Sequence, residues 1–325
     1  MNTRIAIGAA LAALLLSSGA AAQRQVNARQ PTGAGGTVEV SVHAGQLTIT
    51  GWSRNEVQVT GTLSRESDRL QLEGGSGTVE VRVTSSRGGR GADSRLEIRV
   101  PAGKSVEVHA GSAQVSVRGV NGAVELVTGA GAIHVGGSPR AVEAVTAGGA
   151  IHVDAETRTV SVTSMGGSLR VAGTVRDAVE ATTMGGNVEI LAAAPRIEAV
   201  TLGGNVAIRS ATGRFEVTTV GGSVSVSGSN LAGEVESVSG DVRISGSLAR
   251  TGGLSVETHS GDIELALPGN VNAEVDINTY NGGFESSFAP RVQRGSRRER
   301  HLTYGSGGVH VSLETFSGDV KLLRR

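Results

Sequence analysis

Four glutamates, Glu180, Glu198, Glu216 and Glu234, follow one another at steps of 18 residues, and Glu125 and Glu143 hold the same register upstream, with Ser161 between the two groups. On stacked strands, carboxylates at a fixed step stand in one outward column with rungs ~4.8 Å apart. Such a row of oxygens suits Ca²⁺ or a cationic partner. The competing reading is a solvated face whose long side chains splay apart. A second group is basic: Arg291, Arg294, Arg297, Arg298 and Arg300 fall within residues 285–308, beside His301, with Phe288 and Tyr304 near the ends. Guanidinium groups flanked by aromatics bind phosphate groups or acidic glycans. These arginines and Tyr304 are therefore the expected ligand-binding residues, against the alternative of a solvated loop.

His134 and His152 share one outward register and should stand side by side, which is half of a zinc or copper site. Their column continues as Arg170, Glu189, Ala207 and Ser225, with no third ligand of the usual kind, so a surface pair is expected. Asp241 and Asp262 occupy Ser-Gly-Asp turns, where a carboxylate holds its own turn more readily than it does catalysis. The chain has no nucleophile elbow, no HExxH and no phosphate-cradling strand–loop–helix. A polysaccharide-cleaving β-helix enzyme would need acidic and basic residues converging in a groove built by long loops. Short uniform turns and one basic loop argue against an enzyme.

A repeat must position these residues. A window of 18 residues recurs around Gly-Gly or Ser-Gly: Met165-Gly166-Gly167, Met184-Gly185-Gly186, Leu202-Gly203-Gly204, Val220-Gly221-Gly222 and Val238-Ser239-Gly240. Taking the second glycine as reference, from Gly131 onward, the steps are 18, 18, 19, 18, 18 and 18 residues. A fixed period with alternation inside it means one chain wound into stacked coils. Two residues past the reference glycine sit Ile133, Ile151, Leu169, Val188, Val206, Val224, Val242 and Ile263. On the incoming strand, Val124, Val142, Val160, Val179, Ile197 and Phe215 form another inward column. A Thr/Ser column (Thr128, Thr146, Ser164, Thr183, Thr201, Thr219, Ser237, Thr258) and the pair Asn187 and Asn205 should link neighbouring coils.

Composition limits the partners. Residues 1–22 read as an export signal, with Arg4, an apolar run from Ile5 to Leu16, and Ala20-Ala21-Ala22 before Gln23. The remainder holds no segment long enough to span a bilayer as a helix and no cysteine, so an exported protein without disulfides or a lipid anchor is expected, periplasmic or at the cell surface. Its charge is near neutral, 30 basic against 30 acidic residues over the whole chain, which gives no field for nucleic acid. With two tyrosines, four phenylalanines and one tryptophan, the core must be rows of Val, Ile, Leu and Ala.

The order of certain units is similar to a known group. Gly51-Trp52-Ser53-Arg54-Asn55-Glu56-Val57-Gln58-Val59, then Leu96-Glu97-Ile98-Arg99-Val100-Pro101-Ala102-Gly103, then Ser-Gly-Asp units at Ser239, Ser260 and Ser317 resemble bacterial β-strand-repeat envelope proteins classed as adhesins of unknown function. The resemblance covers residues 38–322. It implies an exported β-solenoid-like fold and supplies no catalytic residues. The middle coils depart from it, carrying Gly-Ala, Gly-Ser or Gly-Asn in place of Gly-Asp.

The expected fold is therefore all-β: a parallel β-solenoid of 18-residue coils, preceded by an irregular β module. The expected divisions are a signal (1–22), a flexible leader (23–36), the β module (37–105), the repeats (106–284), a basic loop insertion (285–308) and closing strands (309–325). The expected function is a non-catalytic envelope or surface protein presenting a rigid surface, with a surface glycan or envelope component as partner and no cofactor beyond Ca²⁺ at the glutamate column. The alternatives are a structural or assembly element of the envelope and, behind it, a carbohydrate-active β-helix enzyme.

Overall fold

The computed structural model describes residues 24–64, 68–84 and 94–325. The expected signal, residues 1–22, and the Gly/Arg-rich residues 85–93 lie outside the described residues. The described strands form one 26-stranded sheet, with no helix among the described residues.

Each repeat contributes two strand segments, and these stack in two parallel ladders. In the first, Val124, Val142, Val160, Val179, Ile197 and Phe215 are successive partners. In the second, Ile133, Ile151, Leu169, Val188, Val206, Val224, Val242 and Ile263 follow one another. All of these side chains are 2% exposed or less. Alternation sends every second side chain inward, and each fully buried aliphatic contributes ~1.5–3 kcal/mol. Rows of Val and Ile thus do what bulky aromatics do in a globular core.

The turns are locked to one another by two devices. A Cβ built on Gly186 would lie 2.0 Å from the carbonyl oxygen of Gly167, one repeat earlier, so this position admits only hydrogen. Gly185 beside it has nothing nearer than 3.9 Å. The hydroxyl column adds the second device. Thr183 Oγ1 donates to Gly167 O (3.1 Å) and accepts from Gly186 N (3.2 Å). Thr146, Ser164 and Thr201 repeat this pattern.

The ends of the stack are not in chain order. Strand Thr37–Trp52 lies inside it, because Val38 pairs with both Val79 and Val106, and Leu47 with both Leu96 and Val115. Antiparallel strands then cover the outer edge: Arg69–Gly74 on Thr78–Thr84, and Glu56–Leu63 on Ser94–Pro101. At the other end Val309–Ser317 lies between Gly253–Ser260 and Ala273–Asn281, since Val311 pairs with both Leu254 and Val275. Strand Glu299–Tyr304 covers Ala273–Asn281 antiparallel, and Val292–Gly295 covers that strand in turn. Antiparallel closure blunts edges that would otherwise recruit another chain.

Three expectations are corrected here. Within residues 23–36, strand Arg24–Pro31 is not a loose leader: it pairs along its length with Glu56–Leu63, and Val26 packs on the core. The basic segment 285–308 is not a loop insertion but largely a ribbon of antiparallel strands, because the exposed edge of Ala273–Asn281 captures it. Residues 309–325 do not close the stack; they are its penultimate rung at that end.

Two local contacts brace the first strands. Lys104 is fully buried, and its Nζ donates to the carbonyls of Gly35 and Gly77 at 2.7 Å each. Burial pushes its ammonium below the usual lysine range. The indole of Trp52 donates to Glu56 O (2.9 Å), closing the turn between two strands.

Candidate functional site: an apolar ridge and an acidic cleft

One residue past each inward Thr or Ser, the side chain turns outward at the corner of the repeat. Met165, Met184, Leu202, Val220 and Val238 occupy this corner on consecutive rungs and are 44–55% exposed. The row continues through His259, Phe316 and Tyr280, which register pairs as direct neighbours. The His259 and Phe316 rings stack at 5.0 Å and 4°, and the Phe316 and Tyr280 rings at 5.1 Å and 16°. The Arg298 guanidinium lies over Tyr280, 4.8 Å from the ring centre. Both faces of Phe316 and both faces of Tyr280 are therefore occupied within this column.

Beside the aromatic end runs a cleft of about 550 Å³. Glu236, Glu257 and Glu314 line it on three successive rungs, and Glu299 and Arg298 close it. Stacked carboxylates ~4.8 Å apart repel by roughly 1 kcal/mol in water and ~3 at an effective dielectric near 20. No salt bridge engages Glu236, Glu257 or Glu314 among the described residues. The cleft is also lined by Thr219, Ser237 and Thr258, whose buried hydroxyls have no hydrogen-bond partner. Here the Gly-Gly turn gives way to Ser-Gly-Asp, with Gly240 and Gly261 at φ 133° and 157°; the hydroxyl bridge seen upstream is absent at Thr219, Ser237 and Thr258, whereas Thr315 Oγ1 still donates to Gly261 O (3.3 Å).

The Toastrack DUF4097 family model matches residues 36–323, from the inserted strand Thr37–Trp52 to the last strands of the chain. The chain belongs to that family. No curated protein matches it. Among solved structures it is similar to a protein from Clostridium sporogenes described as a "putative cell adhesion protein", at 10% identity over 93% of this chain and 100% of that one, with a TM-score of 0.21. A second, a "putative adhesin" from Bacteroides fragilis, shares 11% identity over 92% of this chain and 97% of its own, with a TM-score of 0.36. At these scores the likeness says nothing of this chain's ligand.

In this Toastrack chain the expected basic site is split. Arg298 belongs to the cleft, whereas the Arg300 guanidinium packs on Phe284 at 4.9 Å with Nη1 buried and unpartnered. Arg291, Arg294 and Arg297 are exposed on the outer ribbon. Tyr304 is a correction: it is 3% exposed, packs edge-on against Phe288 and bonds Ser286 Oγ at 3.2 Å, so it is core. Burial pushes its phenol above the usual range. Glu180, Glu198, Glu216 and Glu234 do stand in one outward ladder. No group of three or more His, Asp or Glu side chains gathers to hold a metal among the described residues.

The His134 and His152 rings are 5.8 Å apart and share a shallow pocket with Arg118 and Asp154. Burial, then His134 and Arg170, hold the His152 imidazole below its ordinary range. The Ser-Gly-Asp carboxylates are turn ties. Asp241 Oδ1 accepts from Asp262 N (3.2 Å), Asp262 Oδ1 from Asp319 N (2.9 Å), and Asp319 Oδ1 from Gly283 N (2.7 Å). Asn187 and Asn205 make the same tie upstream.

Sequence reasoning missed the ridge. Its signal was present, a large apolar residue ahead of four successive Gly-Gly pairs, from Met165 to Val220, and one step past an inward Thr or Ser. The meeting of Phe316 with His259 and Tyr280 had no such signal, because it depends on a strand inserted out of chain order.

Proposed function

We propose that this chain is an exported, non-catalytic envelope protein, a β-solenoid of 18-residue coils that presents one rigid face to a partner. The observation that carries this reading is the ridge: seven large apolar side chains, Met165, Met184, Leu202, Val220, Val238, Phe316 and Tyr280, are each at least 44% exposed in one column, with His259 between Val238 and Phe316. Singly exposed apolar residues are ordinary, whereas a contiguous row beside a cleft marks a recognition surface. A repeat corner accepts Gly or Ala equally well, as Gly129 and Ala147 do on the preceding rungs. Export is supported by the charged start, apolar run and small-residue site in residues 1–22.

The test has two parts. Fractionation of the producing cell, with sequencing of the mature amino terminus, should place the protein outside the cytoplasm and begin it at Gln23. The mature protein should then bind saturably to at least one member of an array of glycans, lipopolysaccharide and envelope-derived peptides, and Met184→Ser with Leu202→Ser should abolish that binding. Cytoplasmic retention, or silence across the array with an intact β circular dichroism spectrum, overturns the reading.

A further inference from the structure

We infer that the ridge and the acidic face beside it dock a cationic amphipathic helix, lying along the axis of the stack; this rests on the recognition reading above. Three observations converge on that occupant.

The first is charge. Outward from the ridge, Glu236, Glu257 and Glu314 stand on successive rungs, and the next outward column carries Glu180, Glu198, Glu216 and Glu234 on earlier rungs, the two sets meeting on strand Val224–Ser239. No salt bridge engages these seven carboxylates among the described residues. On the other ladder the protein does pair its charges: Arg170 meets Glu189, and Arg243 meets Asp241 and Glu264. Arg196 and Arg214 stand in the column beyond and Arg298 at the cleft, so this face carries seven unbridged carboxylates against three guanidinium groups beside the apolar row. The complementary surface carries apolar groups flanked by lysine or arginine.

The second is ring geometry. Sugar rings and quaternary ammonium groups pack on aromatic faces, but both faces of Phe316 are stacked, on His259 and on Tyr280, and the outer face of Tyr280 lies under Arg298. The edges that remain present the Phe316 ring rim between the imidazole nitrogens of His259 and the hydroxyl of Tyr280. This argues against a glycan platform at the cleft.

The third is period. The rungs repeat every ~4.8 Å, and an α-helix presents a new turn every ~5.4 Å. A helix laid along the ridge drifts by only ~0.6 Å per turn, within the reach of a flexible lysine. An extended peptide repeats one face every ~6.8 Å and falls out of step within two rungs. From Met165 to Tyr280 the ridge has eight rungs. That length is ~34 Å, enough for a helix of about 22 residues.

The test uses the mature protein and a synthetic Leu/Lys amphipathic peptide of about 22 residues, followed by fluorescence anisotropy. A scrambled peptide of the same composition and a Leu/Glu analogue serve as probes of pattern and charge. Saturable one-to-one binding of the Leu/Lys peptide is expected, weaker by roughly tenfold or more when salt rises from ~50 to ~300 mM. Glu236→Gln with Glu257→Gln and Glu314→Gln should weaken it similarly, and so should Met184→Ser with Leu202→Ser. Circular dichroism should show helix forming in the peptide on binding. Equal affinity for the scrambled peptide, or binding indifferent to both variant sets, overturns the inference. Absence of peptide binding while the array finds a ridge-dependent glycan or lipopolysaccharide overturns it too and leaves the recognition reading standing. Silence in both defeats both.

Discussion

Replacing Gly186 by alanine tests the stacking directly, and Gly185 next to it is the internal control. The added methyl of Gly186→Ala would sit 2.0 Å from Gly167 O and 2.4 Å from its carbonyl carbon. Both are backbone atoms of the adjacent turn and cannot rotate away, so the turns must part by ~1 Å. Separation of that size breaks the Thr183 bridge, which holds both glycines at 3.1 and 3.2 Å. Overpacking costs ~1–3 kcal/mol, and two weakened hydrogen bonds add ~1 kcal/mol each. A loss of about 3–5 kcal/mol is expected. At Gly185 the nearest atom is 3.9 Å away and φ lies outside the left-handed range, so alanine should be neutral or stabilising by up to ~1 kcal/mol. Urea titration of residues 23–325, followed by circular dichroism and by tryptophan fluorescence, compares the midpoints. If the two substitutions cost the same, or Gly185→Ala costs more, the close approach of successive turns is not what selects the second glycine.

Lys104→Met removes an ammonium that ties the carbonyls of Gly35 and Gly77 at 2.7 Å, and should cost about 1.5–3 kcal/mol of stability in the same titration; an unchanged midpoint would show that the clamp is idle. His301 has its pKa raised by its hydrogen bond to Asp276, then by that carboxylate's charge. Because the folded value lies above the unfolded one, its support of the end ribbon is full below pH ~6.5 and fades as pH rises through the raised value. An NMR titration should find the imidazole pKa above 6.5 and falling toward it in Asp276→Asn; no response to that substitution would refute the pairing. Truncation after residue 308 withdraws an internal rung, so Gly253–Ser260 and Ala273–Asn281 lose their common partner. Protease protection of residues 253–308 should vanish, and a truncated protein that keeps it would place the last strands at the end of the stack after all.

Much of the first layer of this protein follows from local residue order. The alternation of inward aliphatic positions (Ile133, Ile151, Leu169) with outward polar residues decides which side of each strand is buried, since strand side chains alternate whatever the strand's partner. The spacing of the Gly-Gly pairs decides the registry of parallel neighbours, so that His134 meets His152 and Glu198 meets Glu216. Where Asn187 stands, Asn205 must stand one rung on, and the amide tie between them is a consequence of period alone.

Tertiary structure decided the ends and the site. Arg24–Pro31 carries too few apolar residues to announce a strand; it becomes one because Glu56–Leu63 offers an unpaired edge. The arginines of residues 285–308 are contiguous in sequence, yet the ribbon's alternation sends Arg300 onto Phe284 and leaves Arg298 over Tyr280. Tyr304 reads as a ligand aromatic until Ala273–Asn281 captures its strand and turns it inward. The aromatic column exists only because the chain inserts its last strands between two earlier ones, placing Phe316 between residues that lie 57 and 36 positions before it. Period fixes the contacts between consecutive repeats, and nothing periodic encodes an exchange of order. That exchange is chosen by the free energy of covering open edges, which is a property of the whole stack.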